Sequence, residues 1–207
     1  MTPIIEVVWR HLLVEAAVGR RRYDGLADLA TELDLGVSTI HAALRHPVEI
    51  GAVNISRRAG VRVLDPARVL TLYAAHRHLR RDVIDERMVD LPPEDVERHL
   101  AGQFGVILGG FRALIDHAGG VNRVADYSTV LVYGTPDLNE MAPTNSNVAT
   151  KVLVLEADRW LANYGSVTPA AQAYADLFSL PGWQAQRFLE ATNVQEITTN
   201  ERILLHS

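Results

Sequence analysis

Cysteine is absent from the 207 residues. That excludes disulfides and thiolate metal sites and is compatible with a reducing cytoplasm. No apolar run approaches the roughly 18 residues that a membrane span needs. No basic, apolar and small-residue series opens the chain, so a secretory signal is not expected. Lysine is nearly missing: Lys151 stands alone against 19 arginines, a bias to which no chemistry is assigned. Hydrophobic residues make up 48%, enough for real cores in two small domains or one medium one. The expectation is a cytoplasmic protein with no membrane partner.

Catalytic patterns are equally scarce. Tyr133-Gly134-Thr135-Pro136-Asp137 faintly resembles the Gly-Ser start of nucleotidyltransferases. No Asp-x-Asp pair for two magnesium ions follows it. Gly109-Gly110 and Gly119-Gly120 lack phosphate-loop spacing, and there is no Gly-x-Ser-x-Gly elbow. His76 and His78, read as lying on one helix, would point about 200° apart, a poor arrangement for one metal. An enzyme would need carboxylates such as Asp137, Glu140, Glu156 and Asp158 to converge. Trp160, Tyr164 and Trp183 line a pocket or belong to the core. No catalytic residue, metal or cofactor is expected, and the chain is not read as an enzyme.

The net charge of −5 is unevenly placed. Residues 1–82 carry 12 arginines against 9 acids, and residues 83–207 carry 8 basic against 16 acidic side chains. A mildly basic first half followed by an acidic second half suggests that any nucleic-acid surface lies in the first.

Within that half, residues 26–63 organise the chain. Leu26, Leu29, Ala30 and Leu33 fall on one helical face. Leu35 plugs a turn, and Gly36 caps a second helix. Ile40, Ala43 and Leu44 point inward on that helix, leaving Val37, Ser38, Thr39, His41, Ala42 and Arg45 outward. A helix entering a major groove needs such a face: little bulk, hydrogen-bonding tips and a cation. Pro47 is expected to stop the helix near Arg45, because the residue before proline avoids the α region. Gly51 turns the chain into a strand over residues 53–55, and Gly60 reverses it into another over 61–63. The loop between carries Arg57 and Arg58, and Arg62 follows. Before this stretch, residues 4–18 form an apolar-striped helix. Arg20-Arg21-Arg22 then either contacts phosphates or complements the helix end.

The order helix, turn, helix, strand, basic loop, strand is that of a winged helix-turn-helix. The stretch resembles winged-helix regulators at Leu29-Ala30, Leu33, Leu35, Ser38-Thr39-Ile40 and Leu44. Asp34 stands where glycine is usual in the turn, and Gly36 where serine usually caps. Asp tolerates left-handed backbone, and glycine is an acceptable cap.

Further along, Asp65-Pro66 starts a helix. Leu91-Pro92-Pro93-Glu94-Asp95 introduces another, to about Phe104. Residues 111–117 are helical, 127–133 and 152–155 β-rich, and 135–150 a loop. Residues 158–163 suggest a short helix, and 169–180 and 183–191 two more. The tail, residues 197–205, is weakly β-like. Tyr174, Leu177, Phe178 and Phe188 are expected in the core. Gln172 and Asp176 are expected to be structural hydrogen-bonders rather than surface contacts.

Asp65-Pro66-x-x-Val69-Leu70, the run Thr129-Val130-Leu131-Val132-Tyr133, and Thr168-Pro169-x-x-Gln172-x-Tyr174-x-Asp176-Leu177 with Leu180-Pro181-Gly182 resemble a known class. It is that of the abortive-infection E antitoxins and regulators of type IV toxin–antitoxin systems. The resemblance covers most of the chain and is strongest over residues 169–191. The loop at 135–150 has no match. The resemblance implies a repressor that binds inverted repeats of double-stranded DNA in its own promoter and opposes a nucleotidyltransferase-type toxin. The expected fold is α+β, with a winged helix-turn-helix domain over residues 1–82 and a mixed α/β domain over residues 83–207. Expected DNA contacts are Ser38, Thr39, His41, Ala42, Arg45, Arg57, Arg58 and Arg62. The alternative is a winged-helix regulator that senses a small molecule through its second half.

Overall fold

The structure, a computed structural model, describes residues 2–139, 141 and 148–199. It is a mixed α+β chain with two sheets. Helix α1 (Ile4–Ala17) buries Val7, Val8, Trp9, Leu12, Leu13 and Ala16. The chain then forms β1 (Arg22–Tyr23), α2 (Leu26–Leu33) and α3 (Val37–Glu49). A hairpin of β2 (Val53–Ser56) and β3 (Gly60–Val63) follows. Asp34 ends α2 in the left-handed region at φ 50°, where Asp is among the residues that fit. Gly36 enters α3 extended, and Leu35 packs against the core between the two helices.

The first sheet runs β1-β3-β2, with both pairs antiparallel. Val53 opposes Val63 and Ile55 opposes Val61. The two-residue alternation buries Tyr23, Val53, Val61 and Val63 and turns Arg22, Asn54 and Arg62 outward. Gly60, at φ 71°, has no substitute, because a Cβ there would sit 2.0 Å from the Tyr23 carbonyl oxygen.

Helix α3 does not stop near Arg45. It runs through Pro47 to Glu49. A proline inside a helix removes the N–H that would reach the carbonyl four residues back, here that of Ala43. Trp9 of α1 supplies the missing donor through its indole N–H at 2.8 Å.

Helix α4 (Pro66–His76) starts as its sequence implies, with the Asp65 side chain accepting from the Arg68 N–H at 3.1 Å. It ends at His76, so His78 lies beyond it, just before α5 (Leu79–Asp82). The two histidines are not on one helix. His76 Nδ1 lies 3.1 Å from a Glu6 carboxylate oxygen.

The second sheet comprises β4 (Val83–Val89), β5 (Ile107–Leu108), β6 (Thr129–Tyr133) and β7 (Thr150–Leu155), ordered β4-β7-β6-β5. The central pair β6/β7 is parallel and the flanking pairs are antiparallel. Around it lie α6 (Pro93–Leu100), α7 (Gly110–His117), a 3₁₀ turn (Leu161–Tyr164), α8 (Ala170–Ser179), α9 (Trp183–Ala191) and α10 (Val194–Thr198).

Several expectations are corrected. Helix α6 ends at Leu100, before Gly102 and Gly105, which are poor helix formers, and leaves Phe104 fully exposed. Ile197 and Thr198, expected to be β-like, close α10; the tail from residue 200 onward lies outside the described residues. Phe178 is exposed rather than core, whereas Leu177 and Phe188 are buried and Tyr174 is half-buried. Trp183 is also exposed. In the loop, residues 135–139, 141, 148 and 149 carry neither helix nor strand; the rest of it lies outside the described residues.

The first hydrophobic core draws on α1 to α4 and the hairpin, and also on Ala171 and Ala175 of α8 and Ile197 of α10. It therefore crosses residue 82. Among the described residues, no helix is long and apolar enough to cross a membrane.

Candidate nucleic-acid interface

Helix α3 presents the outward face that its spacing implies. Ile40, Ala43 and Leu44 are buried, while Val37, Ser38, His41, Ala42 and Arg45 are exposed and Thr39 is half-buried. The inward residues fix the rotation of the helix, so the outward set follows from the helical step. Arg45 lies 3.3 Å from Glu49 one turn on, and Glu49 also takes His46 at 3.0 Å. Arg45 is thus held along the helix by an exposed pair, which is weak and exchangeable.

In the hairpin turn, the Ser56 hydroxyl accepts from the N–H groups of Arg58 at 3.2 Å and Ala59 at 3.1 Å. This local clamp closes the turn and leaves Arg57 and Arg58 exposed at its tip. Arg62 stands on the solvent face of β3, directly across from Arg22 of β1. Like charges facing each other across strands are unfavourable. Arg22, Arg57, Arg58 and Arg62 make no ion pair with any described carboxylate.

The Arg20-Arg21-Arg22 cluster is divided. Arg20 is held by Glu15 at 3.2 Å and by Glu32, and stacks over Tyr23 at 4.6 Å. Arg21 reaches the Thr198 carbonyl at 3.4 Å. Only Arg22 joins the exposed basic face. Its sequence neighbours do not distinguish it; its strand register does.

A buried polar centre lies elsewhere, of which sequence reasoning singles out Gln172 and Asp176 alone. Glu6 and Arg10 of α1, Tyr73 of α4, Arg77 beyond it, Asp82 of α5, Tyr133 of β6, and Gln172 and Asp176 of α8 are all buried. Arg77 donates to Asp176 at 2.8 Å, to Glu6 at 3.1 Å, to the Tyr133 hydroxyl at 3.1 Å, and to Asp82. Tyr133 donates to the other Asp176 oxygen at 2.5 Å, and Gln172 donates to Asp176 at 2.9 Å. Arg10 grips both oxygens of Asp158, at 2.7 and 2.8 Å. Gln172 and Asp176 are therefore structural, as expected. Burial pushes the Asp176 carboxyl up. Burial also works to raise Asp82, but hydrogen bonds from Arg77 and Arg81 outweigh it and hold that carboxyl down. The sequence carries one signal for it: Arg77 continues the Val69–Tyr73 stripe by another four residues, placing it inward.

Two of the carboxylates that an enzyme would need have local partners. Asp158 is taken by Arg10, and Asp137 accepts from the Asn139 N–H at 2.9 Å. Glu140 lies outside the described residues. Trp160 is tied to the end of α2 through its indole N–H, which donates to the Leu33 carbonyl at 2.8 Å. Tyr164 lies under Arg10, 5.5 Å from its guanidinium. Among the described residues, no three His, Asp or Glu side chains converge to hold a metal ion. The chain matches no family model, no curated protein and no solved structure.

Proposed function

We propose that residues 1–82 form a winged helix-turn-helix domain that binds double-stranded DNA, and that the protein is a cytoplasmic transcriptional repressor. The observation that carries this reading is the cross-strand pair Arg22 and Arg62, with Arg57 and Arg58 at the hairpin tip, none paired with a described carboxylate. Such a concentration of uncompensated guanidinium groups suits a polyanion. Helix α3 enters the major groove, with Ser38, Thr39, His41, Ala42 and Arg45 toward base edges and backbone. The hairpin, with Arg57, Arg58 and Arg62, holds adjacent phosphates. Residues 83–207, acidic overall, stay off the DNA.

The second part of the proposal is the antitoxin role, in which the protein represses its own operon and opposes a nucleotidyltransferase-type toxin encoded beside it. Its support is the resemblance carried by Thr168-Pro169, Gln172, Tyr174, Asp176 and Leu177. Gln172 and Asp176 are built into the buried network that joins α8 to α1 and α4, which would couple the second half to the helices of the first.

A gel-shift titration with the duplex immediately upstream of the gene, against a scrambled duplex at low and moderate salt, tests the first part. Retention of the upstream duplex at salt that releases the scrambled one is expected. Equal release would rule out a specific operator there. Co-expression with the product of the adjacent reading frame tests the second part; unrelieved growth arrest would refute it.

A further inference from the structure

Strand β4 lies at one end of the second sheet, and among the described residues no strand pairs with its outer side. The bulge between Val83 and Asp85 leaves Asp85–Val89 as the regular part of its ladder with β7. The Glu86 N–H donates to the Asp85 side chain at 2.9 Å, so it points to the open edge. The far side of β7 gives the same parity. Its Lys151 N–H donates to the Ser128 carbonyl at 2.8 Å, and its Leu155 carbonyl accepts from the Gly134 N–H at 3.0 Å. Both groups point toward the β6 side, and by alternation so do those of Leu153, the residue opposite Glu86. Glu86 and Met88 therefore offer unpaired backbone groups to whatever lies beside the edge.

The side chains along this edge are self-complementary. The strand reads Val83-Ile84-Asp85-Glu86-Arg87-Met88-Val89. Turned antiparallel on itself about Glu86, it sets Asp85 against the partner's Arg87, Ile84 against the partner's Met88 and Val83 against the partner's Val89. Each relation occurs twice, as a two-fold axis requires. Opposite charges and apolar pairs facing across strands are favourable. Ile84 and Met88 are 57% and 61% exposed, so the pairing removes apolar surface from water. Only Glu86 meets its own kind. Lys151 lies 2.6 Å from it and Arg80 3.6 Å, so each copy brings the countercharge along.

We infer that β4 pairs antiparallel with β4 of a second copy of this chain, about a two-fold axis at Glu86, joining the two sheets into one. Backbone parity allows only registers that set edge-facing residues against each other. The two neighbouring registers place Asp85 on the partner's Asp85 or Arg87 on the partner's Arg87, both unfavourable. Charges on an edge strand commonly repel other strands; here their order admits one partner strand, the same sequence reversed. The in-strand pair of Asp85 and Arg87, at 2.7 Å, is exposed and weak, and does not compete strongly. A two-fold dimer also suits an inverted-repeat operator, but the inference does not rest on DNA binding, and its test contains no DNA.

The test is sedimentation equilibrium of the full chain. A single edge makes a small interface, so a dimer of twice the 22.8 kDa chain mass is expected to form with a dissociation constant on the order of 10 μM. Asp85→Arg sets arginine against arginine, and Arg87→Asp sets aspartate against aspartate. Each variant alone should associate at least about tenfold more weakly. Mixed in equal amounts, the two variants are complementary at both positions and should dimerise with each other. Both side chains are half-exposed, at 42% and 50%, so the substitutions leave the core untouched.

Register has its own readout. The chain has no cysteine, and bonded antiparallel partners stand about 5.5 Å apart at Cα, within disulfide reach. Glu86→Cys should therefore form a covalent dimer on mild oxidation, and Met88→Cys, four residues out of register with itself, should not. The inference is overturned if the wild type stays at the chain mass at about 100 μM, as it would with the edge covered by residues 200–207 or reserved for a different protein. It is equally overturned if either charge variant dimerises like the wild type, if their mixture stays monomeric, or if Met88→Cys crosslinks in preference to Glu86→Cys.

Discussion

The indole N–H of Trp9 donates to the backbone carbonyl of Ala43 across 2.8 Å of buried space. That carbonyl is the one that Pro47 leaves without its helical partner. The bond does two things: it lets α3 continue to Glu49, and it docks α3 on α1. Trp9→Phe keeps most of the apolar area and removes the donor. It should cost about 1–3 kcal/mol, the penalty of a buried unsatisfied carbonyl. Pro47→Ala restores a backbone N–H at the right place and should recover part of that loss in the Trp9→Phe background. Urea denaturation of both single variants and the double variant measures the coupling. Additivity within about 0.3–0.5 kcal/mol would mean that the two residues are independent.

Arg77 is hydrogen-bonded to all three of the buried carboxylates Glu6, Asp82 and Asp176. Arg77→Met leaves three buried carboxylates facing one another, and removing one partner from a buried charge cluster costs about 3–5 kcal/mol. The variant should also change the pH response. Burial already raises the Asp176 carboxyl above its unfolded value, and without Arg77 the main charge opposing that rise is gone. Native stability is then present below the ordinary Asp value of 3.8 and lost as pH rises through the elevated range. Urea midpoints of Arg77→Met at about pH 4 and pH 7 should show the acidic sample as the less impaired relative to wild type. Equal impairment at both would refute charge as the cause.

Glu97 makes a separate prediction about stability. Its carboxyl is raised from 4.5 to about 7, so the folded state holds the proton more tightly than the unfolded chain. Its contribution is fully present below about pH 4.5 and is lost as pH climbs to about 7. The amplitude is on the order of 3 kcal/mol. Glu97→Gln should flatten this segment of the stability–pH curve and be more stable than wild type above it. A curve of unchanged shape would show that Glu97 titrates normally.

On the DNA side, Arg57→Ala with Arg58→Ala should weaken binding to all sequences alike. The slope of log K against log[salt] should become shallower by up to about two units, one per lost phosphate contact. Arg22→Ala with Arg62→Ala should act in the same sense. An unchanged slope in both pairs would take the basic hairpin off the DNA.

His41→Ala and Arg45→Ala address sequence reading. Each should cost roughly 1–3 kcal/mol on the operator and relax preference at one position, with far less lost on scrambled duplex. Equal losses on the two duplexes would mean that these side chains only grip phosphate.

What the sequence determined alone is local. The faces of α2 and α3, the Asp34–Gly36 turn, the Asp65-Pro66 start and the pairing of residues 53–55 with 61–63 all follow from spacing, caps and turn chemistry within a few residues. The outward set on α3 was legible for the same reason, since two or three buried neighbours on one helix fix the rest. The tertiary structure decided whatever depended on a distant partner. The passage of α3 through Pro47 needed Trp9, 34 residues away. Strand β4, which carries Asp85, Glu86 and Arg87 in a row, is an edge strand defined by its pairing with β7. Arg22 became part of the basic face, while Arg20 did not, through the register of β1 on β3. The network around Arg77 could not be seen as a unit, because a charged residue in a sequence looks solvated until its counter-charges, 71 and 99 residues away, arrive on other elements. Burial of a charge is affordable only in company, and only the three-dimensional fold assembles that company.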